Sequence, residues 1–214
     1  MDIRRYIDNS LLKPTATSRE VEDFVRRSEE IGFYGVCLNP FHVRVASEVR
    51  KKIVICSVVG FPFGASTKEV KVREAVRAVE DGAGELDVVM NLGAFKDGDY
   101  GYVEEEIKAV VRESGVPVKV IIETCFLSRE EKVRAVEVCG ESGARFVKTS
   151  TGFGPKGATE EDVRLLKEVG GGKLLVKAAG GIRDLGTALR MIEAGADRIG
   201  TSNGFSIYRE ASIT

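Results

Sequence analysis

Residues 118–179 read VKVIIETCFLSREEKVRAVEVCGESGARFVKTSTGFGPKGATEEDVRLLKEVGGGKLLVKAA, and this stretch contains the pattern that decides the fold. Three short apolar runs, at residues 118–123, 145–150 and 174–179, alternate with two segments of helical character. Their continuous Val, Ile and Leu content is typical of strands that are covered on both faces. The stretch therefore predicts consecutive strand–helix units with parallel strands.

The segments between these runs begin with residues that start helices. Ser128, followed three positions later by Glu131, forms the capping-box pattern of a helix over residues 128–142. Thr159 with Asp162 starts the next helix in the same way. Apolar residues at helical spacing also predict helices over residues 67–81 and 102–114.

The same alternation extends over the whole chain. The apolar runs number eight, at residues 6–12, 34–38, 53–59, 85–91, 118–123, 145–150, 174–179 and 197–201. Eight such units favour an α/β fold of the (β/α)8 TIM-barrel type over an open doubly wound sheet, and no GxGxxG motif follows the first run. Because the chain has no linker or low-complexity tract, we expect residues 1–214 to form a single domain.

The composition argues against several classes of function. A net charge of -1 gives no general attraction to nucleic acid or to anionic membranes, and no stretch approaches the length of a membrane span. The four cysteines form no CxxC pair and there is one histidine, so we expect no metal site. We therefore expect any anionic ligand to be bound by a specific local site.

Two further features bear on the setting of the protein. Residues 1–5 show no apolar segment of a signal peptide, so a reducing, cytoplasmic setting is expected. The chain has no glutamine and four asparagines beside many charged residues, which is a tendency of proteins from thermophiles.

Three of the apolar runs stand out because each has a charge embedded in apolar sequence, where a buried strand should be apolar. These charges are Asp87, Lys148 and Lys177, and the reactive groups of a barrel lie at the carboxyl ends of its strands. A mutual salt bridge would be a purely structural explanation, but two lysines accompany one aspartate. Burial and a second ammonium both favour a neutral amine, which is the form of lysine that attacks a carbonyl group. The excess of positive charge thus predicts a nucleophilic lysine.

Glycine-rich turns follow the last two apolar runs. Gly180-Gly181 comes after the seventh run, and residues 200–204, GTSNG, come after the eighth, ahead of a short helix. Phosphate sites on this fold are frequently built there, from backbone N–H groups and a helix N-terminus. The two turns together predict a phosphate site.

Several of these segments resemble the motifs of the deoxyribose-phosphate aldolases, a family of class I (Schiff-base) aldolases. They are FVKTSTG at 146–152, LVKAAGGIR at 175–183, ELDVV at 85–89, IDNSLLKP at 7–14, GVCLNP at 35–40 and GFPFG at 60–64. The resemblance covers essentially the whole chain. It implies that Lys148 forms the imine, that Lys177 favours the neutral form of Lys148, and that Asp87 relays protons through water.

The resemblance also implies an activity. It is the reversible cleavage of 2-deoxy-D-ribose 5-phosphate to acetaldehyde and D-glyceraldehyde 3-phosphate in deoxyribonucleoside catabolism, with no metal and no other cofactor. A homo-oligomer, dimer or tetramer, is expected. The residues expected to bind the substrate or its phosphate are Gly180, Gly181, Thr201, Ser202, Thr151, Asp8 and Cys37.

Two local expectations and two alternatives remain open at this point. The family's usual Asp-His-Thr is Asp8-Asn9-Ser10 here, which is expected to change hydrogen bonding beside the substrate. Glu123 is expected to be a supporting residue at the barrel mouth, where it could pair with a lysine, and not the base. One alternative is another phosphate-binding barrel enzyme, either a different Schiff-base aldolase or a sugar-phosphate isomerase. The other is a catalytically silent barrel.

Overall fold

Eight parallel strands, hydrogen-bonded in sequence order, form a closed barrel in the computed structural model, which describes residues 1–213. The strands are β1 (Ile7–Leu11), β2 (Gly35–Leu38), β3 (Val54–Val59), β4 (Glu85–Val89), β5 (Val118–Ile121), β6 (Phe146–Lys148), β7 (Leu175–Ala179) and β8 (Arg198–Thr201). Each lies inside one of the eight predicted runs. Pairing of Asp8 with Gly200 and of Asn9 with Thr201 closes the barrel. The predicted (β/α)8 TIM barrel is confirmed.

Helices follow the strands and cover the outside of the barrel. Those of residues 1–213 are α1 (Ser18–Ile31), α2 (Val43–Val49), α3 (Lys68–Glu80), α4 (Leu92–Lys96), α5 (Tyr100–Ser114), α6 (Arg129–Glu141), α7 (Glu160–Gly170), α8 (Leu185–Glu193) and α9 (Gly204–Ile213). The predicted capping box of Ser128 and Glu131 starts α6, and the Thr159 hydroxyl accepts from the backbone N–H of Asp162 at the start of α7. Within this range, none of the helices has the length and hydrophobicity to cross a membrane.

The two faces of the strands have different chemistry. Outward-facing residues are apolar and pack under the helices, among them Val36, Leu86, Val88, Val120, Val147, Val176 and Ile199. Because side chains alternate along a strand, the charged residues between these positions face into the barrel. The register places Lys148 beside Lys177 and Asp87 beside Lys119 on adjacent strands. The fold thus concentrates charge inside the barrel, where aliphatic layers are the rule.

Candidate active site

The three residues singled out as catalytic meet on one carboxylate. Lys148 ends β6, is 3% exposed, and places its Nζ 2.6 Å from Oδ2 of Asp87. The Nζ of Lys177 lies 2.8 Å from the same oxygen. Lys177 and Asp87 are fully buried. The structure therefore brings the predicted nucleophile, the second lysine and the aspartate into direct contact.

The charges of Asp87 and Lys177 stabilise each other. Burial opposes ionisation of Asp87, but the ammonium groups of Lys119, Lys148 and Lys177 outweigh it and hold the pKa of Asp87 well below its usual range. Burial likewise opposes the charge of Lys177, and attraction to Asp8 and Asp87 outweighs it and raises the pKa of Lys177. At neutral pH, Asp87 is thus an ionised carboxylate of low basicity, and Lys177 is protonated.

Asp87 and Lys177 belong to a closed ring of six alternately acidic and basic side chains, which we call the ion ring. Around the ring, its members are Asp87, Lys119, Glu85, Arg198, Asp8 and Lys177. None of them is more than 7% exposed. The ion ring holds three carboxylates and three cations, and Lys148 contacts it from outside, through Asp87, as a fourth basic residue. With Lys148 included, the cluster has four basic and three acidic side chains. The predicted excess of basic residues is therefore present, but it involves more residues than the three that were predicted.

The ion ring has two arms that start at Asp87, one through Lys119 to Glu85 and the other through Lys177 and Asp8 to Arg198. The contacts along both arms are short. On one arm, Lys119 lies 3.0 Å from Asp87 and 2.6 Å from Glu85. On the other, Asp8 lies 2.6 Å from Lys177 and 3.0 Å from Arg198. The Nη1 atom of Arg198 is 3.5 Å from Glu85 and closes the ring. Both arms therefore run from Asp87 to the same Glu85–Arg198 pair.

Tyr34, which directly precedes β2, caps the ion ring at the amino-terminal end of the barrel. Its ring lies under the Arg198 guanidinium at 3.3 Å from centroid to Cζ, and its hydroxyl donates to Glu85 at 2.8 Å.

Burial opposes the charge of Asp8, but attraction to Lys177, Lys119 and Arg198 outweighs it and lowers the pKa of Asp8 to about 2. The ring is therefore ionised at neutral pH on this arm as well.

Two cysteines of β2 and β3 also face Asp87. The Cys56 thiol donates to Oδ1 of Asp87 at 3.0 Å, and the Cys37 thiol lies 3.8 Å from Oδ2. Burial, the hydrogen bond to Cys37 and the charge of Asp87 raise the pKa of Cys56 well above its ordinary value. Among residues 1–213, these three side chains form one group of possible metal ligands within 4.8 Å. The ammonium groups around Asp87 would repel a cation, so the group does not fit a metal site.

A cavity of about 400 Å³ opens above Lys148, a size that suits a small metabolite. Its wall comes from the carboxyl ends of β1, β6, β7 and β8 and from the loops that follow them. Polar and glycine positions on this wall include Ser10, Lys13, Lys148, Thr151, Gly180, Gly181, Arg183, Thr201 and Ser202. The predicted phosphate turns and the predicted nucleophile therefore line one cavity.

The turn after β7 depends on glycine. Gly180 and Gly181 have φ values of +88° and +78°, in the left-handed region that side chains disfavour. Gly157 packs against this turn so closely that a Cβ there would lie 2.2 Å from the Gly180 carbonyl oxygen. This packing holds the turn at the cavity wall. The short helix expected after the eighth strand is α9, which begins at Gly204 next to Ser202 and Asn203.

Other predicted residues lie elsewhere. Asp8 and Cys37 do not line the cavity; they are buried beneath it, against the lysines and Asp87. Of the Asp8-Asn9-Ser10 motif, Ser10 lines the cavity, whereas Asn9 points outward and donates to the Ser28 hydroxyl at 3.1 Å. Strand alternation explains this, since Asp8 occupies the inward position beside it.

Glu123 supports the cavity wall, but its partner is not a lysine. It follows β5 with a φ of +49° and accepts hydrogen bonds from the backbone N–H and the hydroxyl of Thr151, and not from a lysine. The Thr151 hydroxyl in turn accepts from the N–H of Phe153 at 3.0 Å. Glu123 therefore shapes the loop that carries Thr151 at the cavity wall.

Sequence reasoning did not single out Lys119, Glu85 or Arg198. A signal was present for Lys119, which stands between two valines in the same way as the charges that were selected. Glu85 and Arg198 stand at the first positions of their strands, where a charge is ordinarily solvated. Their burial follows from closure of the barrel and from Tyr34, which covers that end.

The chain matches known proteins over nearly its whole length. Residues 6–211 match the DeoC/LacD family of aldolases. The chain belongs to this family. A deoxyribose-phosphate aldolase of Aquifex aeolicus (strain VF5) is 57% identical over 98% of this chain and 96% of its own length. One from Thermococcus gammatolerans is 55% identical over 99% and 97% of the two chains.

Solved structures of aldolases superpose closely on this member of the family. A chain described as QR15, an aldolase, has a TM-score of 0.98 at 56% identity, covering 100% of this chain and 97% of its own. The deoxyribose phosphate aldolase of Aeropyrum pernix, described as a unique tetramer, has a TM-score of 0.92 at 35% identity, covering 99% and 91%. These relatives support neither the isomerase nor the silent-barrel alternative.

Proposed function

We propose that this chain is a deoxyribose-phosphate aldolase in which Lys148 is the Schiff-base nucleophile. The observation that carries the proposal is the position of the Lys148 amine, on the floor of the cavity and 2.6 Å from Asp87, beside the permanent ammonium of Lys177. Family membership and relatives named for this activity support the same reaction.

Charge balance favours the neutral amine that nucleophilic attack requires. The ion ring already holds as many cations as carboxylates, so a proton on Lys148 is the one charge that it leaves unbalanced. A neutral amine and a neutral ring coexist without an uncompensated buried charge. Lys148 is in this way prepared to attack an aldehyde.

The reaction then proceeds through an imine. The Lys148 nitrogen adds to C1 of the open-chain aldehyde, and loss of water gives a protonated imine. As the C2–C3 bond breaks, its electron pair moves toward the iminium nitrogen to form an enamine, and the C3 hydroxyl loses its proton to become the aldehyde of glyceraldehyde 3-phosphate. Protonation of the enamine at C2 and hydrolysis release acetaldehyde and restore the amine. The iminium supplies the electron sink, so that the scheme requires no metal or other cofactor.

Asp87 and Lys177 position the water that moves these protons. The low basicity of Asp87 argues against it as the sole base, because the ammonium groups of Lys119 and Lys177 share its charge throughout the reaction. A water molecule on the cavity side of the Asp87–Lys177 pair, whose side chains contact each other at 2.8 Å, would accept the C3 proton and return a proton to C2. Asp8 supports this arrangement from beneath by holding Lys177 at 2.6 Å.

The substrate's phosphate would occupy the far side of the same cavity. The turns at Gly180-Gly181 and Thr201-Ser202 lie there, close to the N-terminus of α9, and Arg183 adds a positive charge to the wall. Backbone N–H groups and a helix N-terminus bind phosphate without a net surface charge. Binding energy from this remote end positions C1 at Lys148.

Replacing Ser202 by alanine is expected to raise KM for 2-deoxyribose 5-phosphate by about tenfold and to leave kcat nearly unchanged, because one hydrogen bond to a charged phosphate is lost. Steady-state kinetics would measure this split, with 2-deoxyribose as a substrate that lacks phosphate. Ser212→Ala, which removes an exposed hydroxyl bonded to the Tyr208 carbonyl, is the matched control. An equal effect of Ser202→Ala on both substrates would contradict its role at the phosphate.

Trapping with acetaldehyde and sodium borohydride tests the proposed function directly. Reduction of the imine is expected to add one ethyl group, which peptide mass spectrometry would locate on Lys148. The chain's other lysines provide an internal control for non-specific modification. An unmodified Lys148 in folded protein, or an adduct confined to other lysines, would reject the Schiff-base scheme.

We also propose a homo-oligomer, dimer or tetramer, in a reducing compartment such as the cytoplasm. The solved aldolase from Aeropyrum pernix is described as tetrameric, and this chain exposes Phe41 and Phe63 by 83% and 78%. The thiol of Cys56 donates to Asp87 in its reduced form, which suits a reducing compartment. Light scattering of the purified protein would reject the oligomer if it gave a monomer mass.

A further inference from the structure

The ion ring extends from the reacting amine to the opposite end of the barrel. Asp87, at one side of the ring, contacts Lys148 below the cavity. Glu85 and Arg198, at the other side, are the first residues of their strands and lie against Tyr34 at the amino-terminal end. No chemistry is expected at that end of a TM barrel, where conserved structure ordinarily serves stability. The mechanism proposed above does not use Glu85 or Arg198.

We propose that Glu85 and Arg198 are positioning residues that set the pH range in which Lys148 forms its imine. This inference rests on the proposed function, since it concerns the same amine. Each of the two residues contributes one charge to a ring that is neutral as a whole, and neither lines the cavity. Removing either charge leaves the ring with a net charge beside Lys148.

Removing the charge of Glu85 and removing that of Arg198 have opposite effects on the protonation of Lys148. Without the Glu85 carboxylate the ring carries one excess positive charge, which repels an ammonium at Lys148 and keeps the amine neutral at lower pH. Without the Arg198 guanidinium the ring carries one excess negative charge, which attracts an ammonium and keeps Lys148 protonated at higher pH. In a low-dielectric interior such effects reach beyond the contacting pair. A purely structural role would instead impair both variants alike.

Other charged or titratable groups face Lys148 or the ion ring from the remaining elements. Beside the ring these are Cys37 of β2, Cys56 of β3 and Tyr34. At the cavity mouth they are Lys13 and Arg183. Glu123, in the loop after β5, lies behind the cavity wall, where it is hydrogen-bonded to Thr151. All six are unchanged in the variants below, so they contribute equally to each pH profile.

The test is the pH dependence of imine formation with acetaldehyde, measured as the rate at which borohydride traps the ethyl adduct on Lys148. Acetaldehyde carries no phosphate, so that changes in phosphate binding do not enter. In Glu85→Gln the acid limb of the profile is expected to move to lower pH, and in Arg198→Gln to higher pH. Each shift is on the order of half a pH unit to one pH unit.

Two further variants serve as controls on charge. The double variant Glu85→Gln/Arg198→Gln removes one charge of each sign and is expected to return the acid limb to its wild-type position. Arg198→Lys retains the charge and is expected to leave the limb in place. Should Glu85→Gln fail to fold, as judged by circular dichroism, Asp8→Asn removes a carboxylate from the other arm and is expected to shift the limb in the same direction.

The outcomes separate this inference from the proposed function. The role of the ion ring would be overturned if the adduct forms on Lys148 but the acid limb of its pH profile does not move in the Glu85 and Arg198 variants, or moves in the same direction in both. That result would leave the Schiff base intact. A wild-type protein that forms no adduct on Lys148 would overturn the proposed function itself.

Discussion

Lys148→Leu is expected to lower turnover of 2-deoxyribose 5-phosphate by at least about four orders of magnitude, because leucine cannot form the imine on which every later step depends. The fold should survive the change. The ion ring remains neutral without Lys148, and leucine fills a similar buried volume next to the strand partner Ile121. Thermal unfolding is therefore expected to show a Tm close to that of the unaltered protein.

Turnover and thermal stability must both be measured to interpret Lys148→Leu. A coupled assay for glyceraldehyde 3-phosphate would follow activity, and the borohydride adduct should disappear together with turnover. Lys173→Leu is the matched control, since Lys173 is an exposed lysine in the turn before β7, at the opposite end of the barrel. Near-normal activity in Lys148→Leu would mean that another group is the nucleophile.

Lys177→Leu is expected to lower kcat by about three orders of magnitude with a much smaller change in KM. The change leaves the ion ring with one excess negative charge, since Asp8 and Asp87 lose a shared ammonium at 2.6 and 2.8 Å. That negative charge favours a protonated Lys148, which is not nucleophilic. The water that moves protons between C3 and C2 also loses its donor. Loss of a buried ion-pair partner is expected to cost roughly 3 kcal/mol of stability as well.

A pH dependence separates the chemical effect of Lys177→Leu from its structural effect. Because raising the pH removes the proton from Lys148, trapping of the ethyl adduct should recover in part under alkaline conditions. Lys71→Leu is the control, since Lys71 is equally buried and pairs with Glu106 at 2.8 Å outside the barrel. It should lose comparable stability without a pH-dependent defect. A Lys177→Leu protein whose trapping stays low at every pH would contradict the electrostatic role.

The candidate site was predicted in part because its signals are local. A charge inside an apolar run predicts a buried, inward-facing ion, and this signal found Asp87, Lys148 and Lys177 in the sequence. The glycine turns after the last two strands predicted the cavity wall in the same way. The structure places these residues as expected, while their catalytic and binding roles remain predictions for the experiments above.

Some side chains were misplaced because local patterns do not fix what they contact. Asn9 was expected beside the substrate, yet its neighbour Asp8 holds the inward position and Asn9 donates to Ser28 of α1. A lysine was a possible partner for Glu123, but the left-handed backbone of Glu123 directs its carboxylate to the loop at Thr151. Alternation along β1 accounts for Asn9 once Asp8 is known to face inward, whereas the backbone conformation of Glu123 does not follow from a run of residue types.

The eight strand–helix units, the starts of α6 and α7, and three of the charges inside the barrel could be identified from the order of the amino acids alone. Hydrophobic periodicity and helix capping depend on residues a few positions apart, so they can be identified along the chain. Only the tertiary structure decided that these charges belong to a neutral ring. Arg198 binds Asp8 across a separation of 190 residues, and that contact exists because β8 pairs with β1 when the barrel closes.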